Sequence, residues 1–295
     1  MPAHARRRPP PRAVIGFALT AIAATAFGVV LYFATTSVAW FASAPTADVR
    51  FGSINHCLMS HAPQGRAGFA VAQDGLAAAT FNSAGVAVCS TSGERTDGRF
   101  LQLKGITALA FDGARNLWIA TGTRASEKGA LWRLAAGAPA PDRVAQETPV
   151  ALAGHASGAT VLDGAGRLLS ISSTGDARAF AEAPRVTEPK LLADAAGTLV
   201  ALVGGGALWI YRAADLRPVL RESPCQVEYW WWQPQPGKAL VACGPRASWA
   251  LEIDAYTGAA DASPRRDRSP RSALVPGLRA FVVPCEGLPC EAPPP

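Results

Sequence analysis

The chain has 295 residues, of which 49% are apolar and only 17% are charged, below the ~25% charged residues of ordinary soluble domains. This composition excludes a disordered protein, because it offers ample apolar surface to bury, and it excludes a multi-span transporter, because only one stretch could cross a bilayer. Without the four arginines that precede this stretch, 24 basic residues face 22 acidic ones, too balanced for a nucleic-acid-binding surface.

The first predicted element is a membrane anchor. Ala13–Ala34 is a nearly pure apolar run of 22 residues, and a spanning helix needs ~20. The arginines lie before it and the next follows only at Arg50, so the positive-inside rule predicts a cytoplasmic N-terminus and an exported remainder. We predict a single-pass protein of the bacterial inner membrane, with its ectodomain in the periplasm or outside the cell. Its parts are a basic cytoplasmic tail (1–12), the transmembrane anchor helix (13–40), a linker (41–48), the ectodomain (49–285) and a Pro-rich tail (286–295).

Two further features of this segment concern cleavage and dimerisation. The small residues at 37–39 and 42–44 resemble signal-peptide cleavage sites, so a cleaved signal peptide is the alternative to the anchor. The apolar run is longer than the ~7–15 residues of a signal peptide, which favours the anchor. Small residues four apart on one helix face predict close approach of two helices and a homodimer; they are Gly16, Thr20, Ala24 and Gly28.

All six cysteines lie beyond the predicted anchor. An even number of cysteines in an exported chain predicts disulfides, although spacing does not choose among the pairings. Cys225 and Cys243 flank one predicted hairpin and are the pair we favour, while Cys285 and Cys290 are near enough for a local bridge. The six are Cys57, Cys89, Cys225, Cys243, Cys285 and Cys290. No CxxC or CxxCH occurs, which excludes a thioredoxin-like site and c-type haem.

The exported part is built of repeats. Five segments each contain an apolar run, a turn rich in Asn, Asp, Gly or Pro and a second apolar run, which predicts a β-hairpin. A third strand-like run follows each hairpin, and the mean spacing is roughly 38 residues, typical of β-propeller blades. We therefore predict an all-β fold, a β-propeller. The segments are Leu76–Thr91, Ile106–Gly122, Ser157–Ser173, Glu188–Gly204 and Val227–Gly244.

Residues 108–134 carry the clearest repeat motif. An Asp and a Gly precede an N-L-W-I-x-T strand, and Gly129 and Leu131 fit the strand that follows. The segment resembles the repeat of periplasmic propeller input domains of hybrid two-component regulators, which the other four repeats match weakly. The resemblance implies a periplasmic propeller and no catalytic residue, and the family's kinase and DNA-binding domains have no counterpart in these 295 residues.

The predicted number of blades depends on the strand-like segments that lie outside the five repeats. Strand-like runs at 49–54 and 68–72 near the start, and at 278–284 near the end, predict one more blade assembled from both termini. Such a blade would close the ring and leave no open sheet edge. Six blades are favoured, with five or seven as alternatives.

Histidine and cysteine residues raise one metal hypothesis. His56, Cys57 and His61 lie within six residues and could bind Zn or Cu. However, Cys57 is expected in a disulfide and a fourth ligand is missing. No metal site and no cofactor are therefore predicted. If a metal were bound, His56 and His61 would be its candidate ligands.

Acidic residues raise a second metal hypothesis, that of a calcium-dependent propeller lactonase with carboxylates at the ring centre. The candidates are Asp112, Asp163 and Asp194. Each begins a predicted hairpin turn, where an aspartate commonly accepts hydrogen bonds from the turn's own backbone. We predict this structural role for all three.

The aromatic stretch Tyr229–Trp232 is the candidate ligand-binding segment. Strand alternation sends Trp230 and Trp232 to one side and Tyr229 and Trp231 to the other. Packing between blades is the favoured role, and a ligand platform or protein anchor is the alternative, because exposed tryptophan is frequent at binding hot spots.

Function must be argued from a site, because propellers support many unrelated functions. No GxSxG, HExxH, P-loop or EF-hand pattern occurs, so no catalytic residue is assigned and a non-enzymatic protein is expected. We predict an interaction or scaffold module with a protein partner in the cell envelope. The alternative is a metal-dependent propeller hydrolase or lactonase, which would need converging acidic or histidine side chains at the channel.

Overall fold

The computed structural model describes residues 51–291 except 63, 123–128, 146–148, 195, 222–224, 234, 245–248, 258, 263–272, 276–279 and 286–287. The predicted tail, anchor and linker lie outside the described residues, and so does the small-residue row from Gly16 to Gly28. No helix within the described ranges is both long and apolar enough to span a bilayer.

The described chain forms five four-stranded antiparallel sheets and one three-stranded sheet, each a meander of consecutive strands. Sheet 1 comprises β1 (Gly68–Val71), β2 (Ala77–Phe81), β3 (Val86–Ser92) and β4 (Arg95–Leu101). Sheet 2 comprises β5 (Ile106–Phe111), β6 (Leu117–Thr121), β7 (Ala130–Leu134) and β8 (Asp142–Ala145). Sheet 3 comprises β9 (Pro149–His155), β10 (Gly158–Asp163), β11 (Arg167–Ser172) and β12 (Ala177–Glu182).

The remaining sheets continue this order. Sheet 4 comprises β13 (Lys190–Ala193), β14 (Leu199–Gly204), β15 (Ala207–Arg212) and β16 (Pro218–Leu220). Sheet 5 comprises β17 (Val227–Trp232), β18 (Lys238–Cys243), β19 (Trp249–Asp254) and β20 (Ala259–Ala262). Sheet 6 comprises β21 (Ala273–Val275), β22 (Ala280–Cys285) and β23 (Leu288–Glu291). The all-β prediction is confirmed, and these successive small sheets form a propeller-like repeat.

Neighbouring sheets contact each other through their first strands and share apolar cores. β5 contacts β1 and β9, β13 contacts β9, and β21 contacts β17. Buried clusters join sheets 1 and 2, 2 and 3, 3 and 4, and 4 and 5. β9 and β5 approach so closely that a Cβ at Gly154 would lie 1.9 Å from the carbonyl oxygen of Phe111. Only glycine fits at that contact.

The blade predicted from both termini is wrong in its composition. Gly68–Val71 is the first strand of sheet 1, and the strands described in sheet 6 all come from residues 273–291. β23 nevertheless contacts β1, so the two ends of the described chain meet.

The strand-like reading of residues 49–54 is also wrong, because a helix, α1 (Gly52–His61), begins there. Phe51, Ile54 and Leu58 are spaced as one helical face and are almost fully buried, which is the 3.6-residue pattern of an amphipathic helix. Their cluster includes residues of β2 and β3, and α1 also contacts β23. The helix therefore packs against the face of sheet 1 that is opposite to sheet 2, and it also contacts the three-stranded sheet.

The five aligned repeats are hairpins, but they occupy different positions within their sheets. The turns after β5, β13 and β17 join the first and second strands of their sheets, whereas those after β2 and β10 join the second and third. All are tight polar turns, and sequence similarity alone cannot distinguish their positions. Counted from first strands, the sheets begin at residues 68, 106, 149, 190, 227 and 273, which are 37 to 46 residues apart.

Candidate functional site

A groove between the outer strands of sheets 3 and 4 is the candidate binding site. Its volume is about 350 Å³, within the ~300–1,000 Å³ typical of ligand pockets. Two aromatic and two proline rings form half of its lining, and the rest includes one acid and one base. The lining residues are Ala181, Glu182, Pro184, Trp209, Tyr211, Leu216, Pro218 and Arg221.

Strand alternation in β15 directs the aromatic wall. Leu208 and Ile210 pack into the core shared with sheet 5, whereas Trp209 and Tyr211 face sheet 3. Opposite them β12 presents Ala181, and this short side chain leaves the space that becomes the groove. The site therefore arises from two strands separated by about thirty residues in the chain.

The turn between β15 and β16 builds the floor. Leu216 is 2% exposed and adopts a left-handed backbone conformation with a φ of 57°. The amide of Leu216 donates to the Arg212 carbonyl, and the Arg212 amide donates to the Arg217 carbonyl. An aliphatic floor is thus fixed by main-chain hydrogen bonds.

The groove has few polar groups, and within the described ranges Tyr211, Glu182 and Arg221 form no side-chain hydrogen bond or ion pair. Burial raises the pKa of Tyr211 above its usual value, so its hydroxyl stays protonated at neutral pH. Within the described ranges that hydroxyl has no hydrogen-bond partner, and neither Glu182 nor Arg221, both exposed, forms an ion pair. The groove can therefore offer the Tyr211 hydroxyl and the Trp209 indole N–H as donors, the Glu182 carboxylate as an anion and the Arg221 guanidinium as a cation.

The predicted aromatic segment lies in β17 at the junction with sheet 4. Trp231 is 5% and Trp232 2% exposed, and both belong to the core shared by sheets 4 and 5. Trp230 and Trp232 lie on one side of the strand, 5.8 Å apart and edge to face, as alternation predicts. The side chain of Tyr229 lies outside the described residues. These contacts are packing between sheets, and a ligand at this segment stays a prediction.

The three hairpin aspartates make the turn hydrogen bonds that their positions predict. Asp112 accepts from the amides of Ala114 and Asn116 and from the Asn116 and Trp118 side chains. Asp163 accepts from the amides of Ala165 and Arg167 and pairs with the Arg167 guanidinium. Asp194 accepts from the amides of Thr198, Leu199 and Gly237. Each carboxylate is committed to its own turn, and that of Asp194 also bridges to sheet 5.

Two disulfides are present among the cysteines whose side chains the structure describes. Cys225–Cys243, predicted from the sequence, is confirmed with a Cα–Cα distance of 5.8 Å, and Cys57–Cys89 joins α1 to β3 with a Cα–Cα distance of 6.1 Å. The side chains of Cys285 and Cys290 lie outside the part of the chain that the structure describes.

His61, but not His56, lies beside the first disulfide. The ligand atoms of Cys57, His61 and Cys89 all lie within 4.8 Å of one another. This is the sole group of three or more His, Cys, Asp or Glu side chains so placed within the described ranges. His56 is exposed and does not belong to it.

His155 is a buried polar residue to which the sequence analysis assigned no role. The residue is 1% exposed at the end of β9, and its Nδ1 lies 3.3 Å from the Ser157 hydroxyl. Its Nε2 has no hydrogen-bond partner. Burial lowers the pKa of the imidazole to about 4, so it is neutral at physiological pH. A lone histidine in a strand offers no sequence pattern that reveals this burial.

Comparisons with solved structures return neighbours at low sequence identity, among them the following three. A chain of the mitotic checkpoint complex is 13% identical with a TM-score of 0.47, and covers 65% of this chain and 63% of that chain. Apo AztD from Citrobacter koseri is 14% identical with a TM-score of 0.40 over 54% of this chain and 46% of that one. A KlHsv2 variant with loop 6CD replaced is 9% identical with a TM-score of 0.45 over 74% and 88%.

This chain spans less than two thirds of the first two of these structures. No protein-family model matches it, and no curated protein matches it. The resemblance of residues 108–134 to the two-component regulator repeat therefore stays a prediction.

Proposed function

We propose that this protein is a membrane-anchored, exported propeller that binds a protein partner in the cell envelope through the groove between sheets 3 and 4. The six sheets would form a closed six-bladed ring, related to the periplasmic input propellers that residues 108–134 resemble. The observation that carries the binding proposal is the aromatic and proline wall of the groove with its unengaged Glu182 and Arg221.

Export is supported by the two disulfides together with the charge pattern of the N-terminal segment. Structural disulfides persist in oxidising compartments and are rare in the cytosol. Both Cys57–Cys89 and Cys225–Cys243 follow the apolar segment 13–34, on the side that the positive-inside rule exports.

The occupant that best fits the groove is an extended, proline-containing peptide segment. Grooves lined by aromatic rings accept extended proline-rich segments, whose ordering costs little entropy. Trp209 and Tyr211 supply the rings and Pro184 and Pro218 flank them. The acid Glu182 and the base Arg221 complement a segment that carries charges of both signs. These features favour one class of partner over a small apolar ligand.

Site-specific photocrosslinking in native membranes tests this proposal. A photoreactive amino acid at Pro218 should give one discrete adduct with an envelope protein, crosslinked within a proline-containing segment. The same amino acid at Glu94, exposed in the turn before β4, should give none. Trp209→Ala and the charge reversal Glu182→Lys should reduce the adduct about tenfold, because groove anchors dominate such interfaces.

The opposite results would overturn the groove as a binding site. These are the same adducts from positions 218 and 94, or an adduct at 218 that neither variant weakens. Glu182→Lys changes an exposed side chain, so its effect does not depend on the folding of the Trp209 variant.

A further inference from the structure

The contact of Cys57, His61 and Cys89 has the composition of a metal site whose two sulfur ligands are oxidised. His61 Nδ1 lies 3.9 Å from Cys57 Sγ and donates its N–H to the Cys57 carbonyl oxygen at 2.9 Å, which leaves the imidazole lone pair on Nε2 as the metal ligand. Cys89 is fully buried under them, whereas His61 is only partly buried. One edge of the cluster therefore faces solvent, and the other is closed by protein.

Helical spacing and a glycine together bring the side chains of Cys57, His61 and Cys89 close to one another. Cys57 and His61 are four residues apart on α1, so their side chains lie one above the other on one face. The same four-residue spacing lets two side chains of a helix bind one zinc ion. Gly98 of β4 lies flat against the cluster, since a Cβ there would fall 2.2 Å from Cys57 Sγ and 2.8 Å from His61 Cε1.

We infer that reduction of Cys57–Cys89 opens a Zn²⁺ site formed by the two thiolates and the His61 imidazole. Two sulfurs and one imidazole nitrogen are a donor set that zinc accepts in tetrahedral geometry. The fourth position would hold water on the exposed side of His61. This inference does not rest on the groove or its partner.

The opening step is a thiol–disulfide exchange with a dithiol reductant. A thiolate of the reductant attacks Sγ of Cys57, which is the less buried of the two cysteines, and the Cys89 thiolate leaves. The second thiol of the reductant then breaks the mixed disulfide and frees Cys57. The reductant ends as a disulfide, both cysteines have gained one electron each, and Zn²⁺ takes the place of the thiol protons. In the oxidised chain the sulfurs are bonded to each other and the site is closed.

Cobalt binding to the full-length chain in detergent micelles tests the inference, with Co²⁺ as a coloured stand-in for Zn²⁺. After reduction by a phosphine, one Co²⁺ per chain should bind with thiolate-to-cobalt charge-transfer absorption that added Zn²⁺ removes. The oxidised chain should show none. His61→Ala should weaken binding by at least about tenfold, since even groups that only orient a ligand cost ~10–100-fold.

Matched variants assign the signal to this cluster. His56→Ala removes the exposed neighbouring imidazole and should leave binding unchanged, as should Cys225→Ser/Cys243→Ser and Cys285→Ser/Cys290→Ser. Cys57→Ser should abolish it. The inference is overturned if the reduced chain binds no Co²⁺, or if binding survives His61→Ala at full strength. It is also overturned if one of the other cysteine pairs carries the signal. His61→Ala keeps both cysteines, so its result does not depend on the Cys57 variant folding.

Discussion

The three buried hairpin aspartates accept hydrogen bonds from the backbone of their own turns. The Asp112 carboxylate receives hydrogen bonds from two amides and two side chains, and four such bonds offset the cost of burying a charge. Burial raises the pKa of Asp112, while the bonds from Asn116 and Trp118 act against that rise. The sequence predicts this role because aspartate at the start of a tight turn accepts from the following amides.

His155 should make stability depend on pH. The folded chain holds its imidazole neutral, with a pKa of about 4, whereas the unfolded chain takes up the proton near pH 6.5. Stability is therefore fully present above pH 6.5 and falls as the pH decreases towards 4, by about 2 kcal/mol between pH 7.5 and pH 5. Urea unfolding at the two pH values measures this loss. His155→Gln should lose about 2 kcal/mol less over the same interval, and an equal loss in both chains would contradict the burial argument.

Gly98→Ala should be strongly destabilising, because the new methyl group would overlap the Cys57–Cys89 disulfide. Overpacking of this kind costs ~1–3 kcal/mol, and the melting temperature should fall by several degrees. Gly52→Ala is the matched control, since nothing lies within 4 Å of a Cβ at Gly52. Equal melting temperatures for the two variants would refute the close contact at Gly98.

Neighbouring sheets are held together by hydrogen bonds that cross their junction as well as by apolar packing. Between sheets 4 and 5 the Trp232 indole donates to the Leu192 carbonyl at 3.0 Å, and the Gly237 amide donates to Asp194 at 3.1 Å. Local sequence explains why Trp232 lies in a strand and why Asp194 lies at a turn. Their second role, joining two sheets, exists only after both sheets have formed.

Trp232→Phe should destabilise the chain through this junction. The substitution keeps most of the ring but leaves the partly buried Leu192 carbonyl without its indole donor, which costs ~1 kcal/mol. Trp230→Phe is the control, because Trp230 is only partly buried and serves mainly as the edge-to-face neighbour of Trp232. Thermal unfolding compares the two, and a larger loss for the Trp230 variant would contradict the assignment.

Hairpins could be predicted from this sequence, but their position within a sheet could not. Asp112 and Asp163 both begin tight turns, yet one joins first and second strands and the other joins second and third. Each sheet contains several antiparallel turns of similar composition, so local pattern does not define register between repeats. The helix α1 was missed because its apolar face has only three residues before the chain turns.

The groove could not be predicted for a different reason. In the sequence, Trp209 and Tyr211 are ordinary alternating residues of a strand. They line the groove only because β15 packs beside β12. The Cys57–Cys89 pairing likewise depends on α1 lying on sheet 1. Features that need two distant segments together are set by tertiary packing, which local sequence patterns do not encode.

The first and last strands of the described chain contact each other, and two disulfides cross-link it. β23 contacts β1, and α1 is fixed to sheet 1 by Cys57–Cys89 while Cys225–Cys243 lies in the core of sheets 4 and 5. Such covalent staples stabilise a fold chiefly by restricting the unfolded chain. An arrangement of this kind is compatible with the proposed ectodomain and its proposed binding groove.

Compartment-specific cysteine labelling tests the exported, membrane-anchored propeller most directly. Phe180→Cys places a thiol in the proposed ectodomain, at a position whose native side chain is 64% exposed, and Ala3→Cys places one in the basic N-terminal segment, which is proposed to be cytoplasmic. In intact spheroplasts a membrane-impermeant maleimide should label Phe180→Cys at once, and should label Ala3→Cys only after lysis. Labelling of Ala3→Cys in intact spheroplasts, or protection of Phe180→Cys until lysis, would contradict the account.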